Sequence, residues 1–168
     1  MAADQLKSAA MSTTAPLLHH HKHCDELFAD AEEACANNDW TAGARAFVLL
    51  NEQLETHFTG EEEILFPAFE TATGMTSGPT EVMRAEHRQM RDLLAQMQGA
   101  LATRDGDTFG GAAETLLILM QQHNMKEENI LYPMCDNALA SLAVGDALAE
   151  RLKTPVPAAA GAAAMAKA

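Results

Sequence analysis

The chain writes one motif twice. His57-Phe58-Thr59-Gly60-Glu61-Glu62-Glu63-Ile64-Leu65-Phe66-Pro67 matches His123-Asn124-Met125-Lys126-Glu127-Glu128-Asn129-Ile130-Leu131-Tyr132-Pro133, and both read H-x-x-x-E-E-x-I-L-aromatic-P. On a helix, residues four apart lie on one face a turn apart, so each copy presents an imidazole beside a carboxylate. The face is apolar in both. Leu50 and Leu54 precede His57, with Ile64 and Leu65 after Glu61; Leu116 and Met120 precede His123, with Ile130 and Leu131 after Glu127. A carboxylate on an apolar stripe is costly unless it is paired or bound to metal. Two such faces opposed across a helical core supply two nitrogens and two carboxylates around one point. The remaining acids of the motifs, Glu62, Glu63 and Glu128, read as solvated surface residues.

The rest of the chain supports a helical reading. Strict alternation is scarce, and Ala, Leu, Met, Glu and Gln dominate, the residues that lose least freedom in a helix. Breakers at Asn37-Asn38-Asp39, at Thr73-Gly74 to Gly78-Pro79, and at Arg104 to Gly111 divide the sequence. The predicted helices span about 15–36, 40–66, 79–103 and 110–136, with a shorter one near 138–152. Connections this short favour antiparallel neighbours. The expected fold is therefore all-α: an antiparallel up-down-up-down four-helix bundle with a short extra C-terminal helix. Residues 1–13 read as a flexible N-terminal segment, 14–153 as the bundle, and 154–168 as a disordered Pro/Ala-rich tail.

Two further helices offer histidines. On the third, Met83, His87, Met90, Leu94, Met97 and Leu101 form an apolar stripe, which places His87 inward. The methionines there read as packing rather than as ligands, because the other donors are nitrogen and oxygen. Met83, Met90, Met120, Ile64 and Ile130 are the expected lining of the site. The first helix carries His19, His20, His21 and His23. Periodicity nearly ties His20 and His21 for the inward position, while His19 and His23 share another face.

Composition removes several function classes. The formal charge of −13 disfavours nucleic acid, whose phosphates need a clustered Lys/Arg surface. A hydrophobic fraction of 48% argues against a wholly disordered chain. No apolar run approaches the roughly 20 residues of a membrane span, and no signal-peptide pattern opens the sequence. Cys24, Cys35 and Cys135 make an odd count without C-x-x-C, which points to free thiols in a reducing cytoplasm.

The doubled motif and its trailing Ile-Leu-aromatic-Pro make the chain resemble the hemerythrin-like family, the His-His-Glu cation-binding domain, over roughly residues 14–140. In that family a first-helix histidine is followed by apolar residues at +3, +6 and +7, which here selects His21, followed by Cys24, Leu27 and Phe28. The resemblance implies six ligands, His21, His57, Glu61, His87, His123 and Glu127, around two iron ions bridged by the carboxylates and by an oxo or hydroxo group. It implies binding or sensing of dioxygen or another small diatomic or peroxide ligand. The alternatives are a di-iron oxidoreductase acting on nitric oxide or peroxide, fed by an electron-donor protein, and an iron donor in iron-sulfur cluster repair. Oxygen-carrying hemerythrins have a second histidine four residues away on the third helix, where this chain has Met83 and Arg91. They also close with H-x-x-x-x-D, where this chain has His123 and Glu127.

Overall fold

The structure is a computed structural model that describes residues 12–139 and 142–157. Among the described residues there is helix and connection but no strand. The helices are α1 (Ala15–Ala36), α2 (Trp40–Gly60), α3 (Phe66–Thr73), α4 (Pro79–Thr103), α5 (Gly106–Lys126), α6 (Tyr132–Ala138) and α7 (Leu142–Leu152). Single π-helical turns, Glu61–Leu65 and Glu127–Leu131, join α2 to α3 and α5 to α6, so each pair forms one long rod.

Local chemistry sets the boundaries. Asp39 caps α2 by accepting from the Ala42 N–H at 3.0 Å. Asn38 takes the left-handed conformation that Asn tolerates (φ 60°) and turns the chain between α1 and α2. Asp105 accepts from the Thr108 N–H at 3.0 Å, so α5 begins at Gly106, four residues before the start expected from the Gly110-Gly111 pair. The first rod runs to Thr73, beyond the expected end near 66, because Pro67 falls in the first turn of α3, where proline is best tolerated.

The interior has three layers. On one side of the histidines, Phe28, Phe47, Leu50, Leu54, Met90, Met97, Phe109 and Leu116 are among the residues of a large apolar cluster. On the other side, Leu17, Leu65, Phe66, Phe69, Met83, Leu131, Tyr132, Cys135 and Leu148 form a second. Along α1 and α4 the chain meets the smaller cluster, then the histidines, then the larger one; along the two rods it meets them in reverse. Successive antiparallel helices meet layers in this way. The site is thus held at mid-height between two apolar plugs.

Both ends of the described chain are tied down. Asp136 accepts from Ser12 Oγ, Thr14 Oγ1 and the Thr14 N–H at 2.8, 3.1 and 3.0 Å, and Thr13 is buried. Ser12 and Thr14 are thereby tied to Asp136 of α6. From the expected tail, Val156 donates its N–H to the buried Thr56 Oγ1 at 2.7 Å. The rest of both expected extensions, residues 1–11 and 158–168, lies outside the described residues. Among the described residues no helix is long and apolar enough to cross a membrane.

Candidate metal centre

The π turns decide which motif residues face inward. In each, the aromatic residue donates its backbone N–H five residues back, Phe66 to the Glu61 carbonyl and Tyr132 to the Glu127 carbonyl. The wider turn shifts the inward stripe by one position, and π turns of this kind often occur at functional sites. Leu65 and Phe66, and Leu131 and Tyr132, consequently enter the core. Ile64 is only half-buried and packs beside α7, while Ile130 is 56% exposed. Both isoleucines, expected in the lining on an unbroken helical period, thus lie away from the site. Met90 and Met120 do line a cavity beside the histidines, and Met83 is buried in the smaller apolar cluster.

The structure brings His21, His57, Glu61, His87, His123 and Glu127 together, each no more than 4% exposed. Two sets of donor atoms converge: Glu61, His87, His123 and Glu127 in one, and His21, His57 and Glu127 in the other. The Nε2 atoms point inward. His21 Nε2 lies 3.1 Å from Glu127, His87 Nε2 3.1 Å from Glu61, His123 Nε2 3.0 Å from Glu127 and His57 Nε2 3.6 Å from Glu61. His20 is buried too, but its Nδ1 faces the Nδ1 of His57 at 3.1 Å and its Nε2 faces Gln53 Oε1 at 2.9 Å. His21, not His20, turns toward the carboxylates. His19 and His23 are exposed.

The donor set fits a cation. Glu61 Oε2 and Glu127 Oε1 are buried without a hydrogen-bond partner, although imidazole nitrogens lie close to both. The Nε2 atoms of His87 and His123 face each other at 3.2 Å, close enough to share a proton or a cation. A buried anionic oxygen is costly unless a partner compensates it, and a metal among these atoms compensates both.

Behind the inner residues stands an outer set that the sequence reading missed. Glu62 holds His87 Nδ1 at 2.8 Å, Glu86 holds His123 Nδ1 at 2.9 Å, and Glu128 holds His21 Nδ1 at 2.8 Å. Such partners fix the tautomer of a metal-binding histidine and raise its basicity. Glu62 and Glu128, read from sequence as solvated, therefore have a role: in each motif the first Glu faces inward and the second grips an imidazole of another helix. Arg91 pairs with both Glu62 and Glu55, and Lys126 pairs with Glu86. Tyr132 places its hydroxyl 2.6 Å from Glu61 Oε1 and 3.0 Å from Glu127 Oε2, sharing one proton between the two carboxylates. The available signal was the aromatic position of the motif, Phe in one copy and Tyr in the other.

Burial and charge set the titration. Burial would raise Glu61, but His57 and His87 beside it hold its carboxyl well below the usual range. Burial would lower His21, yet Glu127 outweighs this and raises it. His123 is raised against burial by the Glu127 charge. For His57 burial wins over Glu61, and the imidazole is lowered. Burial raises all three thiols, Cys24, Cys35 and Cys135, which are free and buried.

The fold and site together are those of an all-α bundle whose four histidines and two carboxylates, buried at mid-height, form a donor cluster that fits a metal ion. The family model described as the hemerythrin HHE cation binding domain matches residues 13–135, and the chain belongs to that family. The iron-sulfur cluster repair protein YtfE of Edwardsiella ictaluri is 34% identical over 95 residues, covering 50% of this chain and 42% of that protein. Its counterpart from an Enterobacter species is 31% identical over 100 residues, covering 54% and 45%. The chain thus matches less than half the length of these relatives. No solved structure matches significantly.

Proposed function

We propose that the chain is a non-haem di-iron protein that binds or senses dioxygen, or a ligand of similar size such as nitric oxide, at an iron pair bridged by Glu61 and Glu127. The observation that carries this reading is the pair of buried, unpartnered carboxylate oxygens set among four inward imidazole nitrogens. Mixed nitrogen and oxygen donors suit iron better than thiol-preferring metals. His21 and His57 would hold one ion, and His87 and His123 the other. When bound, the iron pair would supply the electrons that bind and reduce a small ligand.

The chain's own residues select that ligand. A cavity of ≈ 10 Å³ lies between His21, His57 and His123 and is walled by Cys24, Leu54, Phe58, Met90 and Met120. That is about the space of one water molecule, and its apolar wall favours a small, weakly polar ligand. Tyr132 holds a proton against the carboxylates at the opposite side of the inner residues. Three buried, unpaired thiols suit a reducing compartment, and we place the protein in the cytoplasm.

A second reading is favoured by the relatives' printed name: supply of iron in iron-sulfur cluster repair. A third, nitric-oxide or peroxide reduction, would draw electrons from a partner protein. Anaerobic loading with ferrous iron, followed by oxygen and time-resolved spectra, tests the central claim. Two irons per chain with oxo-bridge absorption in the near ultraviolet are expected; a stoichiometric metal content near zero would overturn it. Transfer of iron to a metal-free cluster protein separates the second reading from the first.

A further inference from the structure

We propose that the two metal positions are unequal by construction: the one between His21 and His57 is the weaker and more exchangeable, and His20 sets the difference as a positioning residue for His57. This inference rests on the reading of the cluster as a two-ion site.

The asymmetry lies behind the imidazoles. His87, His123 and His21 each have a carboxylate at Nδ1, from Glu62, Glu86 and Glu128. His57 has instead the Nδ1 of His20, at 3.1 Å. A carboxylate orients an imidazole and also adds electron density to its metal-facing nitrogen; a neutral ring only orients it. The His87–His123 position therefore has two histidines backed by anions, and the His21–His57 position has one.

The inner atoms tell the same story independently. Glu61, His87, His123 and Glu127 converge tightly as one set, whereas around His21 and His57 only Glu127 comes as close and Glu61 stands further off. His57 is also the histidine furthest from its carboxylate, at 3.6 Å against 3.0–3.1 Å for the other three.

Proton placement shows how His20 acts. Gln53 Oε1, 2.9 Å from His20 Nε2, can only accept, which puts the His20 proton on Nε2. His20 Nδ1 then accepts from His57 Nδ1–H, and His57 Nε2 is left with the lone pair that a metal needs. With the Gln53 amide reversed, the proton would sit on His57 Nε2 and block it. The chain Gln53–His20–His57 thus makes His57 a competent ligand while leaving it a weak one. A site built this way gives up one ion while the other stays in place.

Titration of the metal-free protein with Co(II), followed by its visible spectrum, tests this. The wild type should bind two ions in two steps separated by about tenfold or more, and His20→Leu should weaken the second step by about 10- to 100-fold with the first unchanged. His20→Gln, which restores an acceptor, should recover the wild-type second step. Gln53→Glu, a change at a half-buried position, should tighten the second step by putting an anion at the end of the relay. Equal affinities in the wild type, a His20→Leu effect on the first step, or no response to Gln53→Glu would each overturn the inference. A wild type that binds fewer than two ions would overturn the two-ion reading itself.

Discussion

His57 with Glu61 and His123 with Glu127 come from matching motifs, yet the imidazole lies 3.6 Å from its carboxylate in the first pair and 3.0 Å in the second. The surroundings differ in kind. Behind His123 stands the charged pair Glu86–Lys126; behind His57 stand two neutral side chains, His20 and Gln53. After Glu61 the inward aromatic residue is Phe66, stacked on His87 at 5.9 Å; after Glu127 it is Tyr132, whose hydroxyl reaches both carboxylates. A repeated sequence therefore fixes the inner donors alike in both copies, while residues from other helices make the copies different.

The bluntest way to break the comparison is at the shared feature. Glu61→Ala and Glu127→Ala should each drop bound iron from two ions to below one per chain, measured on protein loaded anaerobically. If either variant keeps both ions, that carboxylate is not a bridge.

One step outward, Glu62→Ala and Glu128→Ala should each weaken metal binding by about 10- to 100-fold, because His87 and His21 lose their Nδ1 partners. Competition with a chelator would measure this, and wild-type affinity in both variants would return these residues to the solvated surface.

The two aromatic positions are distinguished by Tyr132→Phe, which makes the copies alike. It removes a hydrogen bond from buried carboxylates, so the metal-free protein should lose about 1–3 kcal/mol in urea unfolding. Metal loading should shrink that loss, since a cation then serves the same oxygens. A loss that persists undiminished in the loaded protein would mean that Tyr132 acts through packing.

The smallest effect is graded with pH in the metal-free protein. Burial would lower His87, but the Glu61 and Glu62 carboxylates beside it overcome that and hold the group up at about 9. Its contribution to stability is complete below its ordinary value of 6.5 and is lost as pH rises through about 9. His20 behaves oppositely: burial and the neighbouring His57 push it down to about 4, so its contribution is complete above 6.5 and is lost as pH falls through about 4. Urea midpoints should peak between these limbs, and His20→Leu should flatten only the acid side.

Much of this was legible in the sequence, and the boundary of what was legible has physical causes. Helical spacing identified the inward side of His57, Glu61, His87, His123 and Glu127, because four-residue periodicity is a local property. It nearly tied His20 with His21, since both are in fact buried; they differ only in what they face across the bundle. Glu86, Glu128 and Gln53 carry no periodic signal, because their partners lie on other helices. Ile64 and Ile130 were misplaced by an assumption of unbroken α-period, which the π turns violate. The early start of α5 came from Asp105 capping, which overrode the two glycines.

The carboxylates also connect two hairpins of the chain. His21 and His57 belong to the hairpin of α1 and α2, and His87 and His123 to that of α4 and α5, each closed by a short turn. Glu61 crosses from the first hairpin to His87, and Glu127 crosses from the second to His21, both at 3.1 Å. Short loops close quickly, so each hairpin is a fast local event in folding, whereas the crossing contacts wait for the hairpins to dock. A ligand that binds only the native arrangement stabilises it by mass action. Here that stabilisation would fall on the docking step, so metal held among these residues would latch the two hairpins together.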